Sequence, residues 1–315
     1  ASTFNYYKAS AYMQLNEKET RLINYKDSEE ALVLKLNQLE IINKSRRSRK
    51  LQEVKLDILA SRVANKMAIE AGKNGYTGHW NLAGEKPYQR YAFAGGLDHV
   101  AENAYGESLY SLEFSIGNSE NTKPNQSFEF DTTSEEIARL MKKGHLEFMK
   151  EKSPRDGHKQ NILNKWHNYV GIGFYISKKE FRYYEEFVDR YYSFSDIPQS
   201  VQENQEFNIT LSTKPDNYLI YFAVCYEKFP KPQKASSLKR KGSYPDGSSK
   251  FVVKIPPWEL SKYRKGNEYK VPVQLKKEGL YYFQIYQDDK EILKPKNFRL
   301  EGKCQASGIV IKVKK

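Results

Sequence analysis

The strongest constraint on this chain is a change of period along its length. Apolar residues recur at helical spacing in several segments up to about residue 150, and after Phe194 hardly any helical periodicity is left. Beyond that point the apolar residues fall in short β-branched and aromatic runs: 207–211, 218–226, 251–255, 269–275, 280–286 and 309–313. Prolines and glycines punctuate them, as at Pro215, Pro230, Pro245, Gly247 and Gly279. Such a pattern predicts an all-β sandwich, Ig-like in general architecture. At 315 residues the chain exceeds what one ordinary core covers. We therefore expect an N-terminal extension over 1–27, a first domain over 28–195, a linker over 196–202 and a β-sandwich over 203–315.

Within the first domain, Ala31, Leu32, Leu34, Leu36, Leu39 and Ile42 predict a helix capped by Asp27 or Ser28. A second helix is expected from Leu51 to Ala71, ending at Gly72. The Ser/Asn/Gly/Pro-rich stretch from Tyr105 to Thr133 reads as a long loop with at most one short strand. Thr133 or Ser134 then caps a third helix reaching about Lys150, with Glu135 and Glu136 at its positive end. Two strands, 169–176 and 182–194, join at a Lys178-Lys179 turn. Helices, loop, helix and hairpin in that order fit a three-layer α-β-α sandwich, making the whole chain α+β.

Three islands carry candidate chemistry. Gly78-His79-Trp80-Asn81 follows the second helix, and His99-Val100-Ala101-Glu102-Asn103-Ala104 comes next. The third runs from Ser153-Pro154 through Gly157-His158 to Asn161-Ile162-Leu163, shortly before Val170-Gly171-Ile172-Gly173. In this island a histidine stands between a Pro/Gly turn and an apolar segment, a placement that can project it into a cleft. Taken in order, with Asn43-Lys44-Ser45-Arg46 ahead of them, the islands resemble the CAP superfamily (cysteine-rich secretory protein, antigen 5, pathogenesis-related 1) in its bacterial, SCP-like form. The likeness spans roughly residues 28–195. Ala101 replaces a glycine of the family pattern, two residues are inserted between Pro154 and Gly157, and Phe148 stands where a tryptophan is usual.

The resemblance implies a cleft holding His79, Glu102 and His158, with Glu151 as its fourth member and Glu147 an equally reachable neighbour. It also implies a secreted or surface-attached protein. His145 and His167 have no counterpart in the motif. Two neutral imidazoles suit zinc or another divalent cation, so His79 and His158 are the expected metal ligands. Glu102 and Glu151 are the candidate general bases should the cleft hydrolyse a substrate. Two readings follow: a non-catalytic binding protein that engages a protein, lipid or glycan, and a metal-dependent hydrolase. The first is preferred, because no Ser or Cys nucleophile stands in a recognisable pattern and no third strong ligand of the H-E-x-x-H kind is present.

Net charge is +13, from 52 basic and 39 acidic residues, which makes polyanions worth weighing. The basic residues are scattered and fall in no nucleic-acid-binding motif, so a solvated surface is the preferred reading, with weak attraction to anionic lipid, cell-wall polymer or polysaccharide as the alternative and nucleic-acid recognition unexpected. No apolar run reaches the roughly 18 residues a membrane-spanning helix needs. The chain starts Ala1-Ser2-Thr3 with no initiator methionine or apolar leader, which fits a mature exported chain or one trimmed to imitate it. An extracytoplasmic location is therefore expected. Cys225 and Cys304, the only cysteines, could form a disulfide worth roughly 4 kcal/mol or stay as buried thiols.

Overall fold

The computed structural model describes residues 2–109, 133–295 and 298–315. Its first half contains α1 (Ser2–Lys18), α2 (Glu29–Arg47), β1 (Lys55–Leu56), α3 (Ile58–Lys73), α4 (Pro87–Phe93) and β2 (His99–Ser108). There follow α5 (Ser134–Lys150), α6 (Gly157–Ile162), β3 (Tyr169–Ile176) and β4 (Glu180–Asp189). The four strands form one sheet in the order β1-β3-β4-β2. On one face, Leu32, Leu39 and Ile42 of α2 and Leu140 and Phe148 of α5 pack with Val170, Ile172, Tyr183 and Phe187. On the other, α3 lies so close that a Cβ at Gly171 would sit 2.3 Å from the Ala60 carbonyl carbon, and one at Gly173 2.2 Å from that of Ala64. The layers are therefore α-β-α.

Local chemistry explains most element ends. Ser28 Oγ accepts from the Ala31 amide and Thr133 Oγ1 from the Glu136 amide, each satisfying a donor left open in the first helical turn. The helix expected from Leu51 starts instead at Ile58. Asp57 caps it by accepting from the Ala60 amide at 2.6 Å, and the backbone of Lys55 and Leu56 is taken up by parallel pairing with Tyr169 and Val170. The N-terminal extension is mostly helix α1. Its C-terminal end is pinned by Arg62, whose guanidinium donates to the carbonyls of Asn16, Glu19 and Arg21. Strand β2 runs as far as Ser108, four residues into the expected loop, and 110–132 lies outside the described residues.

The strand expected over 182–194 is two strands. After β4 ends at Asp189, β5 (Ser193–Ser195) crosses to a different sheet, where Phe194 packs against the second core. The expected linker likewise contains a strand, β6 (Ser200–Gln202), because its backbone pairs in parallel with the C-terminal strand. Next come β7 (Glu206–Ser212), β8 (Tyr218–Glu227), β9 (Phe251–Ile255), β10 (Arg264–Lys265) and β11 (Glu268–Gln274). The chain finishes with β12 (Gly279–Asp288), β13 (Cys304–Gln305) and β14 (Val310–Lys314). One sheet has the order β10-β11-β7-β5 and the other β6-β14-β12-β8-β9, with β13 on β12. Ile209, Leu211, Val271 and Val273 of the first share a core with Phe222, Val224, Phe283 and Ile311 of the second. Cys225 and Cys304 are separate buried thiols. Among the described residues no helix is long and apolar enough to cross a membrane.

Candidate functional site

Strand β2 is an edge of the first sheet, and successive side chains on it point to opposite faces. Glu102 therefore meets His79, which the loop after α3 delivers, while Asn103 meets α6 and donates to the His158 carbonyl at 3.1 Å. The two imidazoles come around the edge strand from its two faces. Their ring centres are 6.0 Å apart, in a cleft of about 690 Å3 that Glu102 and Glu151 also line. All four residues of the sequence-based set thus share one cleft. Glu147 lies outside it, bound to Lys150 at the surface of α5.

Each ring is fixed through Nδ1. His79 Nδ1 lies 2.8 Å from Glu102 Oε1 and His158 Nδ1 2.5 Å from Glu151 Oε1. An ionised carboxylate only accepts, so each Nδ1 carries a proton, and in the neutral tautomer Nε2 is the nitrogen that keeps a lone pair. Neither Nε2 has a hydrogen-bond partner among the described residues. Glu151 also accepts from the His158 amide, so one carboxylate holds both the ring and the first turn of α6. Phe148 packs against the His158 ring, centres 4.7 Å apart.

Beneath His79 lies a buried charge cluster that the motif does not include. Arg90 of α4 donates to the His79 carbonyl at 2.7 Å and to Glu102 Oε2, and its guanidinium is 3.5 Å from Glu186. Glu186 is paired opposite Glu102 in the sheet, and neither of its oxygens has a conventional donor. Burial first, and then the charge of Glu102, push the Glu186 carboxyl well above the usual carboxylate range. Burial raises the Glu102 carboxyl too, against the Arg90 charge that lowers it, and of the pair it is Glu102 that Arg90 and His79 contact. Burial, with the Arg90 charge adding to it, lowers His79 to about 4. Its ring is accordingly neutral across the physiological range despite the adjacent carboxylate.

The second half of the chain supplies a wall of the cleft. Lys241, Gly242, Ser243 and Tyr244 line it, the Tyr244 ring lies 5.1 Å from that of His79, and its hydroxyl accepts from the Glu102 amide at 3.3 Å. Sequence reasoning missed Arg90, Glu186 and Tyr244. Consecutive Glu185 and Glu186 between Tyr183-Tyr184 and Phe187-Val188 were a usable signal, since carboxylates there must be paired or protonated. Nothing around Arg90 or Tyr244 marked them. The two histidines left out of the site are structural: His145 sits between Ser45 and Glu185, and His167 binds Asp189 at 2.6 Å. Among the described residues no group of three or more His, Cys, Asp or Glu side chains forms a metal cage.

No family model and no curated protein matches the chain. Among solved structures, it is similar to an extracellular protein containing an SCP domain from Bacillus anthracis str. Ames, at 17% identity and a TM-score of 0.34. That match covers 51% of this chain and 43% of the other, so it spans less than half of the Bacillus protein. The chain is also similar to an outer surface protein from Borrelia burgdorferi, at 15% identity and a TM-score of 0.34, over 50% of this chain and 92% of that one. At these distances the likeness assigns no residue a role, and the chemistry of the cleft rests on its own side chains.

Proposed function

We propose that this is an extracytoplasmic, non-catalytic binding protein whose cleft takes a divalent cation, zinc first, on Nε2 of His79 and Nε2 of His158. The observation that carries this reading is the pair of imidazoles, each tied at Nδ1 to its own glutamate, with ring centres 6.0 Å apart in one cleft. A carboxylate on Nδ1 fixes tautomer and ring orientation and raises the basicity of Nε2, the arrangement found behind histidine metal ligands. A ring-centre spacing of 6.0 Å is compatible with one ion shared by the two imidazoles. Two protein ligands leave the remaining positions to water or to a bound partner, so affinity is modest. When bound, the ion supplies Lewis acidity to whatever oxygen completes its shell.

The hydrolase alternative is less well supported. Glu102 is fully buried and spends one oxygen on His79 and the other on Arg90. Glu151 likewise spends one oxygen on the His158 ring and the other on backbone amides. Either could act as a general base only by releasing the histidine it orients.

The test is zinc titration by calorimetry on the native chain and on a His79→Ala, His158→Ala double variant, with a thermal melt to check folding. Saturable heat in the native chain, absent from the folded variant and weaker in acid, is the expected result. Equal heats in both proteins would remove the cleft as a metal site.

A further inference from the structure

A second cavity, about 360 Å3, shares no lining residue with the histidine cleft. It follows the seam where the loop around Gly84 presses on the segment after β8. Gly84 has φ +80, a Cβ there would meet the Lys231 carbonyl, and the Gln233 amide donates to the Leu82 carbonyl at 2.7 Å. The walls are therefore held in place from both halves of the chain.

Three exposed lysines, Lys228, Lys231 and Lys250, line this cavity, and among the described residues none has a carboxylate partner. The wall does contain one carboxylate, Glu227, but it is committed inward to Lys86, Tyr88 and Gln89. Three uncompensated ammonium groups gathered at one opening repel each other, and an anion seated among them relieves that repulsion. Beside the indole of Trp80 and the paired Lys86, the lining includes Ser249, Ser248, whose hydroxyl donates to the Tyr226 carbonyl at 2.6 Å, and Gln233, whose Nε2 donates to the Lys231 carbonyl at 2.9 Å while its Oε1 stays available. Such groups suit sugar hydroxyls, and the volume lies at the small end of ligand cavities.

We propose that this cavity binds an acidic segment of a polyanionic glycan, with carboxylates on Lys228, Lys231 and Lys250 and sugar hydroxyls on the serine and glutamine groups. The site needs no metal, so its test runs in the presence of a chelator and is independent of the cation reading above.

The probe is a fluorescently labelled galacturonate octamer, titrated with the full chain at about 50 mM salt, where surface charge is only partly screened. The triple variant Lys228→Gln, Lys231→Gln, Lys250→Gln is expected to bind at least tenfold more weakly. A control with the same change of charge, Lys265→Gln, Lys270→Gln, Lys276→Gln, is expected to stay within about twofold of the native chain. Equal weakening in both variants, or no binding by the native chain, overturns the proposal. So does equally tight binding of octathymidylate or of anionic vesicles, because the site would then recognise charge without recognising a sugar.

Discussion

His99 starts β2 with its ring between two carboxylates, and replacing it gives a sharp test of the electrostatics. Nδ1 lies 2.8 Å from Asp189 at the end of β4, and Nε2 lies 3.6 Å from Asp246 in the second half of the chain. Burial alone would lower the histidine, but the hydrogen bonds and charges of Asp189 and Asp246 outweigh it and raise His99 to about 10. Asp189 moves the other way: burial would raise it, and His167 and His99 together hold it at about 2. A raised imidazole stabilises the folded state fully below its unfolded pKa of about 6.5, and that contribution fades as pH climbs to the folded value. The depressed carboxylate contributes above about 3.8 and loses its effect as pH falls through 2. The network is therefore strongest between about pH 4 and 6.5.

At about 1.4 kcal/mol for each tenfold change in proton affinity, the His99 shift sets a ceiling near 5 kcal/mol. Two features lower the expected loss. Asp189 keeps His167 when His99 is gone, and Asp246 is 39% exposed, so its share is that of a partly solvated ion pair. We expect His99→Gln to cost about 3 kcal/mol at pH 6 and under about 1 kcal/mol at pH 10. Urea unfolding of both proteins at pH 6, 8 and 10 measures the gap, and the lysines that titrate near pH 10 are common to both. A gap that stays constant across this range would refute the argument, since His99 would then act as a neutral packing group.

Two further outcomes follow from buried groups. Arg46 donates to the carbonyls of Gln52, Ile162, Asn164 and His167 at 2.7–3.0 Å, so Arg46→Lys, which cannot span that fork, should cost about 3 kcal/mol by thermal unfolding. A loss under about 1 kcal/mol would show that the guanidinium geometry is dispensable. Burial raises the Cys225 thiol to about 11 and pushes Cys304 higher still, so neither should react with a disulfide reagent at pH 8 until the chain unfolds, when both should. Finding no titratable thiol in the unfolded, unreduced chain would contradict this.

The parts legible in the sequence were those set by local pattern. Caps at Ser28 and Thr133, the hairpin around Lys178-Lys179 and the strand runs after residue 205 are each specified by a few neighbouring residues. The Asn43–Arg46 motif also proves to have a structural meaning: Asn43 brackets the amide and carbonyl of Val54, while Arg46 gathers the carbonyls that precede β3. What was not legible depended on distant partners. Leu51 to Asp57 has apolar residues at helical spacing, yet β1 forms there because Tyr169 and Val170 offer a parallel edge more than a hundred residues away. Tyr244 looked like one more residue in a Pro/Gly-rich loop, because its contacts with His79 and Glu102 exist only once both halves have folded.

The contacts of Tyr244 give the second half of the chain a part in the cleft. A β-sandwich that merely carried the first unit would touch it through a small polar interface and move against it. Here Tyr88 stacks on Tyr282 with ring centres 4.2 Å apart, and Leu59, Val63 and Val100 share a core with Cys225, Leu280 and Val310. Around that core, Glu227 collects Lys86, Tyr88 and Gln89, while Asp246 reaches His99. Cutting the chain between the two units would expose this apolar face, strand Glu227 without its partners and remove Tyr244 from beside His79. The first unit alone would therefore be destabilised, and its cleft would lack one wall. The cleft therefore belongs to the whole chain, because both halves supply the side chains that surround its histidines.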